Sequence, residues 1–182
     1  MIDKSKITRL AFYDFDGCLS DSPMPADGMG KWSEYHGKPY PYKGWWSKVE
    51  SLDDDVFDIQ LKEEVFSSLI ADNDDESCVT FLLTSRLPRL EVHIKKILKK
   101  HGAHLDHYFF KHFLMEKDER ILDTLNEYPF VDTIDVWDDR DKELARFFDM
   151  KEKLDKKDIT VNVHVVHSDQ TGIYADGEEG KR

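Results

Sequence analysis

The sequence contains very few cysteines, and this shortage limits the compartments and scaffolds that the chain fits. Only Cys18 and Cys78 occur among its 182 residues. Two cysteines cannot build the dense disulfide framework that stabilises many small secreted domains. A reducing, cytoplasmic compartment is therefore the expected location.

Long hydrophobic runs are also missing from the chain. The longest covers about six residues, at Cys78–Leu83, whereas a helix that spans a bilayer needs roughly 20 apolar residues. Met1 and the next few residues are followed by no apolar core of the signal-peptide type. We therefore expect neither a membrane segment nor a membrane partner.

Positive charge is the third shortage. The chain has 26 lysines and arginines against 38 acidic residues, which gives a formal net charge of −12. Proteins that coat nucleic acid bind the phosphate backbone through massed lysine and arginine side chains, so this chain does not belong to that class. A local basic patch, or a substrate held through a metal ion, is compatible with the composition.

The apolar residues that are present follow the alternation of an α/β domain. They make up 40% of the chain, which is enough for the core of one domain, placed at residues 1–168. Segments with strand composition alternate with segments whose apolar residues recur about every 3.6 positions. This alternation predicts a three-layer α/β sandwich around a mainly parallel, Rossmann-like sheet. The predicted strands are 10–13, 79–83, 131–137 and 159–166, with a weaker one at 108–110, and the predicted helices are 59–70, 90–98, 116–127 and 144–150.

Two segments depart from this alternation. Residues 18–58 hold four of the six prolines and three of the four tryptophans. A connection of this length is too long to be passive, so we expect a binding loop or a small cap. Its aromatic side chains, among them Trp45 and Trp46, either stack on nucleotide bases or pack into a mini-core. Residues 169–182 are polar and contain glycine, and they predict a flexible tail.

Three predicted strands end in residues that carry chemistry. The endings are Asp-Phe-Asp at 14–16, Thr-Ser-Arg at 84–86 and Asp-Asp-Arg at 138–140. In open α/β sheets, ligands bind beyond the carboxyl ends of the strands. We therefore expect the three endings to meet around one ligand.

The first ending offers two carboxylates. Side chains two residues apart on an extended chain share a face, so Asp14 and Asp16 would converge and need a cation or a proton. Mg²⁺ suits such oxygen ligands, and Gly17 lets the chain turn away at once. One carboxylate could then attack phosphorus while the other moves the leaving-group proton. An ordinary polar loop with a turn glycine is the alternative.

The second ending offers ligands for a phosphate. The Thr84 hydroxyl and neighbouring backbone amides can hold a phosphoryl oxygen. Arg86 and Arg89 can add bidentate contacts to a phosphate. The alternative is a helix-capping role for Thr84 or Ser85.

The third ending and a nearby lysine complete the set. One of Asp138 and Asp139 can ligate a metal directly and the other through water, or one of them can cap the following helix. Lys117 begins a predicted helix, from which it can neutralise negative charge at the strand ends. Lys111 competes for this role, and a solvated surface position is the usual fate of a lysine.

The ordered set of strand endings resembles the haloacid-dehalogenase (HAD) superfamily over most of residues 8–168. The resemblance implies that Asp14 is the nucleophile that becomes an aspartyl-phosphate and that Asp16 is the general acid/base. By the same resemblance, the phosphate-binding hydroxyl is Thr84, the motif lysine is Lys117, and the ligands of a Mg²⁺ ion are Asp14, Asp16, Asp138 and Asp139.

A narrower resemblance rests on Leu83–Arg86, Trp137–Arg140 and Gly44–Trp46. These motifs are similar to the HAD domain of Swiss Army Knife RNA-repair-like proteins and to the 3′-phosphatase domain of phage-type polynucleotide kinase/phosphatases. The resemblance implies a Mg²⁺-dependent phosphatase whose substrate is an RNA or DNA 3′-phosphate or a nucleotide. The substrate-binding candidates are Ser85, Arg86, Arg89 and Arg140.

Several alternatives stay open. A HAD phosphatase for small metabolites would carry the same motifs, and so would a non-catalytic binding module. A dehalogenase is disfavoured because it needs no metal-binding acids such as Asp16 and Asp138. Ser85 stands where related chains often have glycine, which adds bulk beside the phosphate site. The histidines at 101, 104, 107 and 112 are clustered, but Gly102 interrupts a shared helical face and disfavours a Zn²⁺ site.

Overall fold

A five-stranded parallel sheet runs through the middle of the domain. The computed structural model describes residues 2–168. Its strands are β1 (Arg9–Tyr13), β2 (Cys78–Leu83), β3 (His107–Phe109), β4 (Thr133–Asp138) and β5 (Thr160–Val165). They lie in the order β3-β2-β1-β4-β5, so β1 is central and pairs with β2 on one side and β4 on the other.

The described residues contain six α-helices, and the last four cover the two faces of this sheet. The six are α1 (Pro25–His36), α2 (Asp54–Phe57), α3 (Glu63–Asp74), α4 (Glu91–Lys100), α5 (Lys117–Leu125) and α6 (Asp141–Asp155). One apolar cluster packs α3 and α4 against Tyr13 and Leu82. A second cluster packs α5 and α6 against Phe12 and Val136 on the opposite face. Alternate residues of the buried strands therefore serve opposite cores, and the predicted three-layer α/β sandwich is confirmed.

The predicted helix at 59–70 begins later than its apolar periodicity indicates. Asp58 adopts a left-handed φ of 45°, and Lys62 is extended at the N-cap of α3. Between them Leu61 forms an antiparallel bridge with Ser20. The apolar residues at 59 and 61 thus precede the helix, with Leu61 in an isolated bridge, and the predicted start of this helix was wrong.

The insert predicted at 18–58, called the cap below, is partly helical. Its longest helix is α1, which begins at Pro25, a position where the missing N–H of proline costs nothing. Trp45 is 2% exposed, and its indole N–H donates to the Pro23 carbonyl at 2.8 Å. A Cβ on Gly28 would approach the Trp45 ring to 2.2 Å. Trp45 is therefore core of the cap, and of the two predicted roles for this residue the structure supports packing.

Two further predictions concern the tail and the membrane. The predicted tail at 169–182 lies outside the described residues. Within residues 2–168, no helix combines the length and the apolar character needed to cross a bilayer.

Candidate active site

The carboxyl ends of β1, β2 and β4 meet at a cavity of about 790 Å³. Because β1 is central and its neighbours lie on either side, the loops after these strands separate here and leave a crevice. The cavity is lined by the three strand endings, by part of the cap and by the segment between β3 and α5. Its lining includes Asp14, Asp16, Thr84, Ser85, Arg86, Lys117 and Arg140.

The turn after β1 brings Asp14 to the floor of this cavity. The Asp14 N–H still donates to the Trp137 carbonyl at 3.0 Å, which extends the β1–β4 pairing by one residue. Gly17 then adopts a φ of +71°, and a Cβ there would lie 2.2 Å from Oδ2 of Asp139. Glycine is required at this position both for its backbone conformation and for the close approach of Asp139.

Lys117 lies between two of the strand-end carboxylates. Its ammonium is 2.9 Å from Oδ1 of Asp14 and 2.6 Å from Oδ2 of Asp138, and its side chain is only 7% exposed. It occupies the first position of α5, where Glu116 and Glu119 form a reciprocal capping box. The structure thus brings Lys117 to the nucleophile candidate, whereas Lys111 lies exposed on the cavity wall.

Burial and crowding of like charges determine the electrostatics of this cluster. Burial, reinforced by the nearby Asp138 and Asp16 charges, raises the pKa of Asp14 to about 6, although Lys117 opposes the shift. Burial likewise raises the pKa of Asp138 against the opposing effect of Lys117. Burial alone would lower the pKa of Lys117, but Asp138 and Asp14 reverse this effect and raise it. Burial therefore outweighs the ammonium at the two carboxyl groups, whereas the two carboxylates together outweigh burial at the lysine.

Three carboxylates form the group in the described residues that fits a metal ion. Asp14, Asp138 and Asp139 each offer an oxygen within 4.8 Å of the others, and all three residues are buried. Their three negative charges face the single positive charge of Lys117, so one divalent cation would balance the group. An all-oxygen donor set of this kind suits Mg²⁺. The Asp16 carboxylate lies outside this set and instead accepts hydrogen bonds from Arg86.

Arg86 has neighbours different from those that the resemblance implied. Its Nε and Nη2 donate to the two carboxylate oxygens of Asp16 at 2.8 Å each. Its Nη1 donates to the Trp46 carbonyl at 2.6 Å and to the Ser51 hydroxyl. The residue is 2% exposed, and its guanidinium lies 4.8 Å from the Trp46 ring centroid. Its donors are therefore directed at Asp16 and the cap.

Thr84 and Ser85, the other residues at the end of β2, have different neighbours. The Thr84 hydroxyl accepts from the Arg86 N–H at 3.2 Å and lines the cavity, as a phosphate ligand would. Ser85 Oγ accepts from Nη1 of Arg140 at 3.2 Å, so these two predicted substrate contacts are neighbours. Leu87 is the N-cap of the next turn and makes no side-chain cap bond, so the capping alternative is not realised.

Arg89 lies apart from the predicted phosphate site. Its Nη2 donates to the Ser47 carbonyl at 2.6 Å, and the residue is not among those that line the cavity. Its position therefore gives no support to the predicted substrate contact. Arg89 instead fastens the cap to the domain.

Sequence reasoning missed Lys62 and, apart from Lys111, a loop that contributes to the site. Lys62 Nζ donates to the Gly17 carbonyl at 2.7 Å and so supports the turn that follows Asp14. The segment Lys111–Met115 lines the cavity, and its Phe113 and Leu114 side chains are 78% and 88% exposed. An adjacent pair of large apolar residues beside a lysine, outside any predicted helix, was the available signal for this segment.

The predicted histidine cluster does not form a shared site in the described residues. His101 contacts the Ile59 carbonyl at 2.8 Å, and His107 contacts the Tyr128 hydroxyl at 3.2 Å. His104 lies 3.9 Å from Asp106, and His112 accepts from the Leu114 N–H at 3.3 Å. The four side chains have separate neighbours.

Comparison with protein families identifies the chain. The family model described as HAD domain family 1 in Swiss Army Knife RNA repair proteins matches residues 36–179. The chain belongs to this HAD family. The matched range contains Thr84, Lys117 and the Asp138–Asp139 pair and begins after the Asp14–Gly17 turn. The comparison with curated proteins finds no match.

Solved structures share the fold of this HAD domain at low sequence identity. Two structures of the Pnkp1/Rnl/Hen1 RNA repair complex match with TM-scores of 0.53 and 0.50, at 14% and 13% identity. These matches cover 91% and 90% of this chain but only 47% and 45% of the other, so the HAD domain spans less than half the length of that protein. The HAD domain of effector protein Lem4 from Legionella pneumophila matches with a TM-score of 0.52 at 13% identity, over 93% of both chains.

Proposed function

We propose that this HAD domain, residues 1–168, is a Mg²⁺-dependent phosphomonoesterase that removes phosphate from nucleic-acid 3′ ends through an aspartyl-phosphate at Asp14. The observation that carries the proposal is the position of Lys117, which bridges Asp14 and Asp138 at 2.9 and 2.6 Å inside the cavity. A buried lysine here holds Asp14 as a carboxylate near neutral pH, and only the carboxylate can act as a nucleophile.

The proposed reaction has two steps. An Asp14 oxygen attacks phosphorus, the phosphorus–ester oxygen bond breaks, and Asp16 gives a proton to the leaving alkoxide. Water then attacks the same phosphorus and gives a proton to Asp16, while the bond from phosphorus to Asp14 breaks and inorganic phosphate leaves. Thr84 and the backbone amides of its turn hold the phosphoryl oxygens throughout.

Mg²⁺ would be held by the carboxylates of Asp14, Asp138 and Asp139 and by the Asp16 carbonyl. When bound, it neutralises charge on the phosphate and the nucleophile. Asp138 is prepared for this role because Lys117 holds Oδ2 and the Arg140 N–H donates to Oδ1 at 2.9 Å. Asp139 is fixed under Gly17 and accepts from the Ser168 hydroxyl at 3.1 Å.

The substrate class rests on two supports. The matched family is described by its place in RNA repair proteins, and the cavity wall carries cationic side chains although the whole chain is acidic. A nucleic-acid 3′ end offers both a terminal monoester and further phosphates to such a wall. Both cysteines are free and buried, which agrees with the proposed cytoplasmic location.

The deciding experiment measures phosphate release from p-nitrophenyl phosphate, 3′-phosphorylated oligonucleotides and sugar phosphates, each in Mg²⁺ and in EDTA. We expect hydrolysis of p-nitrophenyl phosphate that EDTA abolishes, and a higher kcat/KM for a 3′-phosphorylated oligonucleotide. Asp14→Asn should lower turnover by at least about 10³-fold, since an amide cannot supply the attacking oxygen. Circular dichroism of the variant provides the folding control.

Each contrary outcome removes a different part of the proposal. Full activity of well-folded Asp14→Asn would exclude Asp14 as the nucleophile. Efficient hydrolysis of sugar phosphates, with oligonucleotides competing poorly, would favour a small-metabolite phosphatase. No hydrolysis of any monoester would favour a binding module on the HAD fold.

A further inference from the structure

One wall of the cavity carries two large apolar side chains that are highly exposed. It is formed by the Lys111–Met115 loop, which joins β3 to α5. Phe113 and Leu114, at 78% and 88% exposure, are the two most exposed large apolar side chains of residues 2–168. Exposing such side chains beside a polar catalytic cavity is unfavourable unless something covers them.

The base of this loop is held firmly although its tip is exposed. The Lys111 N–H donates to the Arg86 carbonyl at 2.8 Å, which ties the loop to the turn that follows β2. Arg120 donates to the Phe110 carbonyl from α5. The capping box of Glu116 then begins α5 directly after the loop. The loop is therefore anchored at both ends, and its apolar tip lines the same cavity as Thr84 and Lys117.

Cationic side chains accompany the apolar pair. The Lys111 ammonium lies 5.9 Å from the Phe113 ring centroid, and Arg140 and Lys142 also line the cavity. Aromatic faces combined with lysine and arginine are the usual means of binding single-stranded nucleic acid without base-specific hydrogen bonds. A small sugar phosphate would leave both apolar side chains uncovered.

We propose that the Lys111–Met115 loop binds the last bases of a single-stranded nucleic acid whose 3′-phosphate lies at Asp14, with Phe113 stacking on a base. This rests on the proposed function and adds to it a single-stranded substrate that occupies more than its terminal nucleotide. Leu114 covers a second base, and Lys111 and Lys142 contact phosphates on the 5′ side of the terminal nucleotide.

The test measures binding separately from catalysis. In an Asp14→Asn background, fluorescence anisotropy follows a 5′-labelled hexanucleotide that carries a 3′-phosphate. Phe113→Ala should weaken binding by about tenfold, the loss of one stacked base, and Leu114→Ala by a smaller factor. Phe130→Ala is the matched control, because Phe130 is 60% exposed and does not line the cavity, and it should bind like the parent.

Two further measurements test the geometry and the charge. A blunt duplex with the same 3′-phosphate should bind more weakly than the single strand, because its bases are already stacked on one another. Lys142→Gln should reduce the slope of log affinity against log salt by about 0.7, the contribution of one phosphate contact on a single strand.

The contrary results are specific. Unchanged hexanucleotide affinity in both Phe113→Ala and Leu114→Ala would overturn the assignment of the loop. If the parent protein does not bind the single strand at all, the assignment is also wrong, and the exposed pair would fit a protein partner instead. In the Asp14-intact protein, the control variant Phe130→Ala should hydrolyse β-glycerophosphate at the parental rate. A parent that hydrolyses no phosphomonoester would overturn the proposed function itself, so the two failures are distinguishable.

Discussion

The guanidinium of Arg86 donates to both carboxylate oxygens of Asp16, and each hydrogen bond is 2.8 Å long. The two side chains are 1% and 10% exposed. The remaining donor nitrogen of Arg86 contacts Trp46 and Ser51 of the cap. A planar guanidinium group whose three nitrogens all donate hydrogen bonds holds the partner carboxylate in one orientation. Arg86 therefore positions the proposed acid/base and links it to the cap.

Replacing Arg86 should lower the activity by a factor that depends on the leaving group of the substrate. Arg86→Gln is expected to lower kcat/KM about 10²-fold on β-glycerophosphate and on a 3′-phosphorylated oligonucleotide, because both release an alkoxide that needs a positioned proton donor. The loss on p-nitrophenyl phosphate should be much smaller, since nitrophenolate leaves without a proton. The three kcat/KM ratios are the measurement.

A second variant separates positioning from charge alone. Arg86→Lys keeps the positive charge but cannot make the two parallel bonds to Asp16, so it should show the same leaving-group pattern as Arg86→Gln. A loss on the oligonucleotide with β-glycerophosphate spared would instead identify Arg86 as a nucleic-acid contact, as the family resemblance implied. Circular dichroism at the assay temperature checks that each variant is folded.

Lys117→Met should damage both stability and catalysis. Removal of the ammonium leaves Asp14 and Asp138 as buried, unpaired charges, which typically costs about 3–5 kcal/mol of folding free energy. The rate should fall by at least about 10²-fold. Urea denaturation and initial rates are the measurements, and Lys99→Met, on the exposed side of α4, should change neither. Retained activity in a folded Lys117→Met protein would return the motif role to Lys111.

The metal-free protein should lose stability as the pH rises toward neutrality. Burial raises the pKa of Asp14 from 3.8 to about 6, so the folded state binds this proton more tightly than the unfolded state. The stabilising contribution is complete below about pH 4 and is lost as the pH rises through about 6. Thermal unfolding in EDTA across this range measures it. Asp14→Asn should remove the pH dependence of stability in this range. An unchanged profile in that variant would assign the pH dependence to another group.

Gly17→Ala should be far more harmful than Gly37→Ala. Both glycines have a positive φ, +71° and +64°, but a Cβ on Gly37 meets no atom within 4 Å, whereas one on Gly17 meets Asp139 at 2.2 Å. Gly37→Ala should cost about 1–2 kcal/mol, the strain of a left-handed residue. Gly17→Ala should cost more and also raise the Mg²⁺ concentration needed for activity. Equal losses in denaturant titrations, with an unchanged Mg²⁺ requirement, would contradict the close approach of Asp139.

The sequence by itself determined the layers and the strand endings of this protein. The apolar periods of 2 and 3.6 residues are local properties, so the α/β sandwich and the order of its elements followed from them. Asp14, Thr84 and Asp138 were found because each directly follows, or ends, an apolar strand in a parallel sheet. The order of the strands in the sheet was the one further requirement, because it places the ends of β1, β2 and β4 side by side.

The tertiary structure alone decided which side chains become neighbours at the site. Arg86 and Asp16 are 70 residues apart in the chain, and they meet because they follow the neighbouring strands β1 and β2, while the cap supplies the other contacts of Arg86. The same packing buries Trp45 against Gly28, leaves Trp46 beside the cavity, and sends Arg89 to Ser47. The selection of Lys117 over Lys111 depends on where α5 begins, because Lys117 is its first residue and reaches Asp14, whereas Lys111 lies exposed in the preceding loop. Contacts of this kind are set by packing and loop closure between distant segments, and no local sequence pattern encodes them.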